Sequence, residues 1–239
     1  MNRTDESNRG NEWYVPKFGP HRFRLFVGMT FIPYTLMNVS YVVIGSTLAP
    51  SGVHWDRVVV IAAVYLLSVG VSAHALDALA PNKPWGAFLT KRQLEVLAAS
   101  ALAPALALGL YYALRYAPWL IVVGLAEIFF LLSYNLELFR GRFHTEVWFA
   151  FSWGFLPVIA GFVLQTDSFS PTALVGAVFG LATAYVEINA SKPYKVLKRQ
   201  PQPHDLQSAE TERRFERILK GVVASVVTVT LLLVLLRLQ

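Results

Sequence analysis

Two carboxylates in this chain stand in the same local setting. Asp77 closes an apolar run and is followed by Asn82-Lys83-Pro84-Trp85, and Glu187 closes another and is followed by Ser191-Lys192-Pro193-Tyr194. A carboxylate with a cation a few residues on, placed twice where a hydrophobic segment meets basic residues, is the chemistry of a charged-headgroup site. Mg²⁺ prefers carboxylates and water and commonly bridges them to the phosphate oxygens of a substrate. Asp77 and Glu187 are therefore the candidate metal ligands and Mg²⁺ the candidate cofactor. Lys83 and Lys192 can neutralise the same oxygens. These four residues are the catalytic candidates.

Other polar groups gather at the same ends of the apolar runs. His74 and Asp77 are three apart and share one helical face. Asn135 and Glu137 end a run and are followed by Arg140 and Arg142, His144 and Glu146 open the next, and Asn189 lies two residues beyond Glu187. Ionisable residues inside membrane-crossing segments cost several kcal/mol unless they face an interior, so each is a candidate ligand contact; the competing reading is an ordinary interfacial residue. Glu127 stands apart, near the middle of its run among aromatics. Two readings stay open for it: a buried carboxyl bonded to a neighbouring helix, or an acid/base or ion-pathway group.

The elements that must position these residues follow from composition. The 239-residue chain is 55% hydrophobic and only 15% charged, with a mean hydropathy of +0.46. Its apolar runs approach the roughly 20 residues that a helix needs to cross a bilayer. The expected fold class is all-α, a polytopic membrane helix bundle of about seven transmembrane helices. The spans read as 25–49, 57–79, 93–114, 118–138, 146–165, 171–190 and 218–237. Seven spans put 18 of the 21 Lys and Arg on one side and leave only Arg57, Arg115 and Arg237 on the other. That bias predicts a cytoplasmic N-terminus, a C-terminus on the opposite side and an integral protein of the plasma membrane. The formal charge of +6 then belongs to one face, which fits anionic lipid headgroups or an anionic substrate and not nucleic acid. The absence of cysteine excludes disulfides, thiolate metal sites and Cys nucleophiles.

Residues 1–24 read as an N-terminal tail and interfacial segment, and 25–239 as one transmembrane domain. The first 16 residues are polar and lack periodicity, the pattern of a disordered tail. Trp13, Tyr14, Phe18 and Phe23 look like an interfacial aromatic belt. Pro33, Pro104 and Pro157 are expected to kink the first, third and fifth spans. Thr90 with Gln93 reads as a capping box, and Ser170-Pro171 as an N-cap followed by proline at the first helical position. Residues 208–220 are charged and helix-favouring, a surface helix running into the last span.

In this order and topology the chain resembles the UbiA-type intramembrane prenyltransferases, whose second and sixth spans carry Asp-rich motifs that bind prenyl diphosphate through Mg²⁺. The resemblance covers most of 22–237. It rests on the two carboxylate motifs, Asn82-Lys83-Pro84 with Leu89-Thr90, Ser133-Tyr134-Asn135 followed by Arg140, and Trp153-Gly154-Phe155-Leu156-Pro157 with Gly161. It departs where His74 stands for the first aspartate, Pro81 for the third, Glu187 for the leading aspartate of the second motif and Ser191 for the trailing one. The family usually has nine spans.

The resemblance implies transfer of a prenyl group from a prenyl diphosphate to a lipid or aromatic acceptor, with His74, Asn82, Tyr134, Asn135, Glu137, Arg140 and Asn189 as substrate contacts. Its partners would be membrane lipids and an isoprenoid, with a homo-oligomer or a membrane subunit supplying what two missing spans would cover. Loss of acidic ligands harms catalysis before it harms binding, so the alternative is a non-catalytic descendant that binds an isoprenoid or serves as a subunit. A transporter is a third class. A retinal-type receptor is disfavoured because no lysine lies inside the seventh span.

Overall fold

A computed structural model of the chain describes residues 10–79, 89–200 and 205–239. The described residues are helical with no strand. Among the described residues six helices are long and apolar enough to cross a membrane: α1 (His21–Thr47), α2 (Trp55–Asp77), α3 (Lys91–Tyr116), α5 (Glu146–Thr166), α6 (Pro171–Arg199) and α7 (Leu206–Leu238). Between α3 and α5 lies α4 (Leu120–Asn135), apolar but of 16 residues. At 1.5 Å per residue it covers about 24 Å of a hydrocarbon core that is about 30 Å thick. The fourth expected span, 118–138, is thus present as a helix but is shorter than the others.

Local chemistry sets most of the helix ends. Thr90 accepts a hydrogen bond from the Gln93 N–H at 3.3 Å, and the Gln93 side chain accepts from the Thr90 N–H at 2.8 Å, completing the expected capping box of α3. Ser170 caps α6 by accepting from the Ala173 N–H at 3.1 Å, with Pro171 at the first helical position. Asp205 caps α7 in the same way through Ser208, at 2.7 Å. The charged segment and the last span therefore form one 33-residue helix.

The prolines act differently from one another. In α1 the break falls at Thr30–Phe31, where Phe31 adopts a left-handed conformation (φ 45°) and Pro33 sits in the first turn of the resumed helix, where its missing N–H costs nothing. Pro157 opens the α-helical half of α5 directly after a π-helical stretch, Phe151–Phe155. α3 continues through Pro104 without interruption. α6 likewise does not stop near residue 190 but runs through Pro193 to Arg199. The reason is tertiary: Tyr194 is fully buried against Leu219 of α7 and beside Trp13, and that packing holds the turn that a local reading would end.

α1 packs on α2, α5 and α7, and α6 joins α5 to α7. Two glycine pairs set the closest crossings. A methyl group on Gly45 would lie 1.9 Å from the Val158 carbonyl oxygen, and one on Gly161 would lie 2.0 Å from that of Val42. Gly154 and Gly180 bring α5 and α6 together in the same manner. Small residues let helix backbones approach closely in an apolar solvent that offers no hydrophobic driving force between them. Tyr41, Val42, Phe162 and Val163 fill the core around the first crossing.

Candidate functional site

The two π-helical stretches bracket the site. A π turn rotates the following side chains relative to an α-helical register, and such insertions are frequent at functional positions. In α2 the stretch is Ser68–Ala73, directly followed by His74–Asp77; in α5 it is Phe151–Phe155. The Trp153 carbonyl, inside the second stretch, accepts a hydrogen bond from Asn38 Nδ2 of α1 at 2.7 Å. A backbone carbonyl in the bundle interior needs such a partner.

Between these stretches lies a polar cavity of about 250 Å³. Its walls include Asp77 and His74 from α2, Tyr134 and Asn135 from α4, and Glu187, Lys192 and Lys195 from α6. Residues distant in sequence thus meet at one end of the bundle. Asn38 also lines it; Asn38 Oδ1 and His74 Nε2 are buried and have no hydrogen-bond partner among the described residues. Buried polar atoms left without a partner cost roughly 1–3 kcal/mol each, so these two call for polar partners.

His144 reaches this cavity from an unusual turn. Glu137, Phe139 and Arg140 all have positive φ (50°, 55° and 60°), followed by Gly141 at 74°. Left-handed conformations cost non-glycine residues about 1–2 kcal/mol each, and such strain concentrates at functional sites. The turn closes with His144 stacked on Tyr134, ring centroids 4.3 Å apart, and His144 Nδ1 2.9 Å from the Tyr134 carbonyl oxygen. A ring nitrogen facing a carbonyl must carry the proton, which leaves Nε2 of the neutral ring as an acceptor.

The cations of α6 are divided between partners. Lys192 Nζ donates to Glu146 Oε1 at 2.5 Å, Lys198 to Glu212 at 2.7 Å and Arg199 to Glu12 at 2.7 Å. Lys195 instead lies over the rings of Phe31 and Tyr34, at 4.7 and 5.9 Å, within Coulombic reach of Glu187, Asp77 and Glu12.

A second cavity, of about 340 Å³ and almost wholly apolar, extends between α2, α3, α4 and α5. It shares Val69 and Trp153 with the polar cavity, one residue from each π-helical stretch. Glu127 lines the apolar cavity, and Tyr65 of α2 donates a short hydrogen bond to it. That is the arrangement expected of a buried carboxyl satisfied by a neighbouring helix.

Of the expected site residues, Asp77, His74, Tyr134, Asn135, Glu187 and Lys192 come together. Glu137 and Arg140 are exposed in the turn that presents His144 and do not line the cavity. Asn189 is exposed on α6 and bonds the Tyr185 carbonyl of its own helix. Asn82 and Lys83, with the rest of the first Lys-Pro-aromatic segment, lie outside the described residues. Sequence reasoning missed Lys195 and Asn38. Lys195 follows Asp/Glu-type position 187 by eight residues, two helical turns, a spacing that identifies one face only once α6 is known to continue past residue 190.

The N-terminal segment is the largest departure from expectation. From Gly10 onward it is packed and not loose: Glu12 is fully buried, and Tyr14 and Val15 are buried. Trp13 and Tyr14 pack on Tyr34 and Phe31 in place of forming an interfacial belt, while Phe18 and Phe23 are exposed as expected.

Among the described residues no three His, Cys, Asp or Glu side chains gather into a cation cage. Two carboxylates, Asp77 and Glu187, face the polar cavity. Mg²⁺ is commonly held by one or two carboxylates plus phosphate and water, so these two are the residues that would hold it. Comparison with family profiles, with curated proteins and with solved structures gives no match.

Proposed function

We propose that this chain is a UbiA-type membrane prenyltransferase that binds a prenyl diphosphate with its headgroup in the polar cavity and its chain in the apolar one. The carrying observation is that the two cavities are neighbours with Val69 and Trp153 in the walls of both, an arrangement that suits an amphiphile with one charged end. Lys195 and Lys192 would attract the diphosphate, and Asp77 and Glu187 would hold Mg²⁺ against it. Bound there, Mg²⁺ would neutralise charge on the departing diphosphate.

In this reading the allylic C–O bond breaks and diphosphate leaves with both electrons. The nucleophilic atom of the acceptor then bonds to the allylic carbon, and the proton it loses passes to His144 Nε2. The aromatic walls, Phe31, Tyr34 and Tyr134, would lie near the developing cation. The basic end of the bundle would lie on the cytoplasmic side of the plasma membrane. A second reading, a non-catalytic isoprenoid-binding subunit, is favoured by the Lys192–Glu146 pair, which occupies one of the two cations beside the cavity.

The test is incubation of the purified protein with a labelled prenyl diphosphate and a pool of lipid and aromatic acceptors, with and without Mg²⁺, beside Asp77→Ala. Metal-dependent diphosphate release that is lost in the variant supports the transferase. Saturable binding without release supports the subunit, and neither binding nor release overturns both.

A further inference from the structure

We propose that the apolar cavity is a binding site in its own right for a lipophilic amine, a molecule with one basic nitrogen on an apolar body, and that Glu127 recognises the nitrogen. The inference goes beyond the transferase reading, because a prenyl chain in this cavity would give Glu127 nothing to bond.

Glu127 stands near the midpoint of α4. Tyr134, which lines the polar cavity, is seven residues further on, about 10 Å along the helix axis. The carboxyl therefore belongs to a place of its own, in the wall of the cavity of about 340 Å³ between α2, α3, α4 and α5. Its Oε1 accepts from the Tyr65 hydroxyl. No other hydrogen bond or ion pair reaches Glu127 among the described residues. A carboxyl has two oxygens, and Tyr65 serves one of them.

The residue type selects the ligand. Ser68, also in this wall, is spent on the Val64 carbonyl of its own helix at 2.7 Å, and Tyr65 is spent on Glu127. A ligand hydroxyl or carbonyl could be met by a serine or an amide, as the Trp153 carbonyl is met by Asn38. A carboxyl is among the most costly groups to place at mid-membrane, and what it offers beyond those neutral groups is a charge-assisted bond to a cation. An ammonium on an apolar body matches both parts of the site, the single carboxyl and the carbon walls around it.

The room for that body is built into the helices. Gly109 of α3 and Gly124 of α4 both line the cavity, and a methyl group added at either would meet nothing within 4 Å. Each shares its helical face with cavity-lining residues one turn away, Ala105 and Ala113 in α3, Leu120 and Ile128 in α4. Glycine inside a helix is less favourable than alanine. Gly45 and Gly161 offset that cost through close helix crossing, as described above, whereas Gly109 and Gly124 touch no neighbour that requires them. Their effect is to leave space beside Glu127.

The site is tested with a matched series of ligands. Radiolabelled decylamine is titrated onto the protein in phosphatidylcholine nanodiscs, with binding to empty nanodiscs subtracted, and decanol and decanoic acid serve as competitors with the same chain. Decylamine should bind saturably at a single site per chain. Decanol should compete about tenfold more weakly, or worse, and decanoic acid should not compete. Glu127→Gln keeps the shape and an oxygen for Tyr65 but removes the charge, so it should weaken decylamine about tenfold or more and bring it level with decanol. Gly124→Leu fills the cavity and should abolish binding, with helix content by circular dichroism and the melting midpoint retained.

Binding that survives both substitutions would overturn the proposal, as would equal affinity for decanol and decylamine, or no saturable binding. The transferase reading fails separately: an amine site without prenyl diphosphate binding rejects that reading alone, and diphosphate binding without an amine site rejects this one alone.

Discussion

At the scale of single residues, the lysines of α6 separate by what already holds them. Lys192 is held by Glu146, and both are partly exposed, so its charge is largely spent and screened. Lys195 has aromatic faces and cavity carboxylates around it, a setting from which it can turn to a phosphate. Lys195→Ala should therefore weaken binding of a labelled prenyl diphosphate about tenfold to a hundredfold, the loss expected of a charge-assisted contact worth about 1.5–3 kcal/mol. Lys192→Ala should cost less than about fivefold. Equal losses in an equilibrium binding assay would contradict this ranking. The strained turn at 137–141 has a parallel logic: its conformational cost stands against the placement of one imidazole, His144, on Tyr134.

At the scale of elements, the glycine crossings and the π-helical stretches do separate jobs. Gly45 and Gly161 allow α1 and α5 to touch backbone to backbone, and the π turns then re-aim the side chains that line the two cavities. Gly161→Ala would push a methyl group against the Val42 carbonyl, which is backbone and cannot swing away. A loss of about 2–4 kcal/mol is expected from overpacking of this kind, visible as a lower midpoint of thermal unfolding in detergent. Gly109 faces open space in α3. Gly109→Ala should leave stability unchanged or raise it by up to about 1 kcal/mol, the helix-propensity gain. If both variants melted alike, close approach would not be what the crossing glycines provide.

At the scale of the whole molecule, charge and polarity are asymmetric in the same sense. The polar cavity, the N-terminal segment and the charged half of α7 occupy one end, where Lys198–Glu212 and Arg199–Glu12 tie α6 to its neighbours. At the other end Arg57 and Arg237 bond main-chain carbonyls in the last turns of α5 and α1, those of Leu164 and Thr47. The excess of Lys and Arg at the first end predicts that it faces the cytoplasm. Reporter fusions check this directly: an alkaline phosphatase fused after Gln239 should be active, and a fluorescent protein fused before Met1 should mature. The reverse pattern would invert the orientation and the side from which an acceptor could approach.

The sequence by itself determined an all-helical chain with long apolar helices and the caps of α3 and α6, and it singled out the carboxylates Asp77 and Glu187. Each of these depends on local composition or on periodicity along one helix, which the bilayer makes unusually legible because it demands long apolar runs. Only the tertiary structure decided that α6 runs through Pro193, since burial of Tyr194 overrides the local signal, and that extension is what brings Lys195 to the cavity. It also decided the fate of the N-terminal segment. Gly10–Phe18 has no periodic pattern because it forms no regular element, and its order comes from partners as distant as Tyr194 and Arg199, which no local reading can supply. The π-helical stretches were illegible for a related reason: they arise where packing between helices, and not the propensity of Ser68–Ala73 or Phe151–Phe155, sets the backbone register.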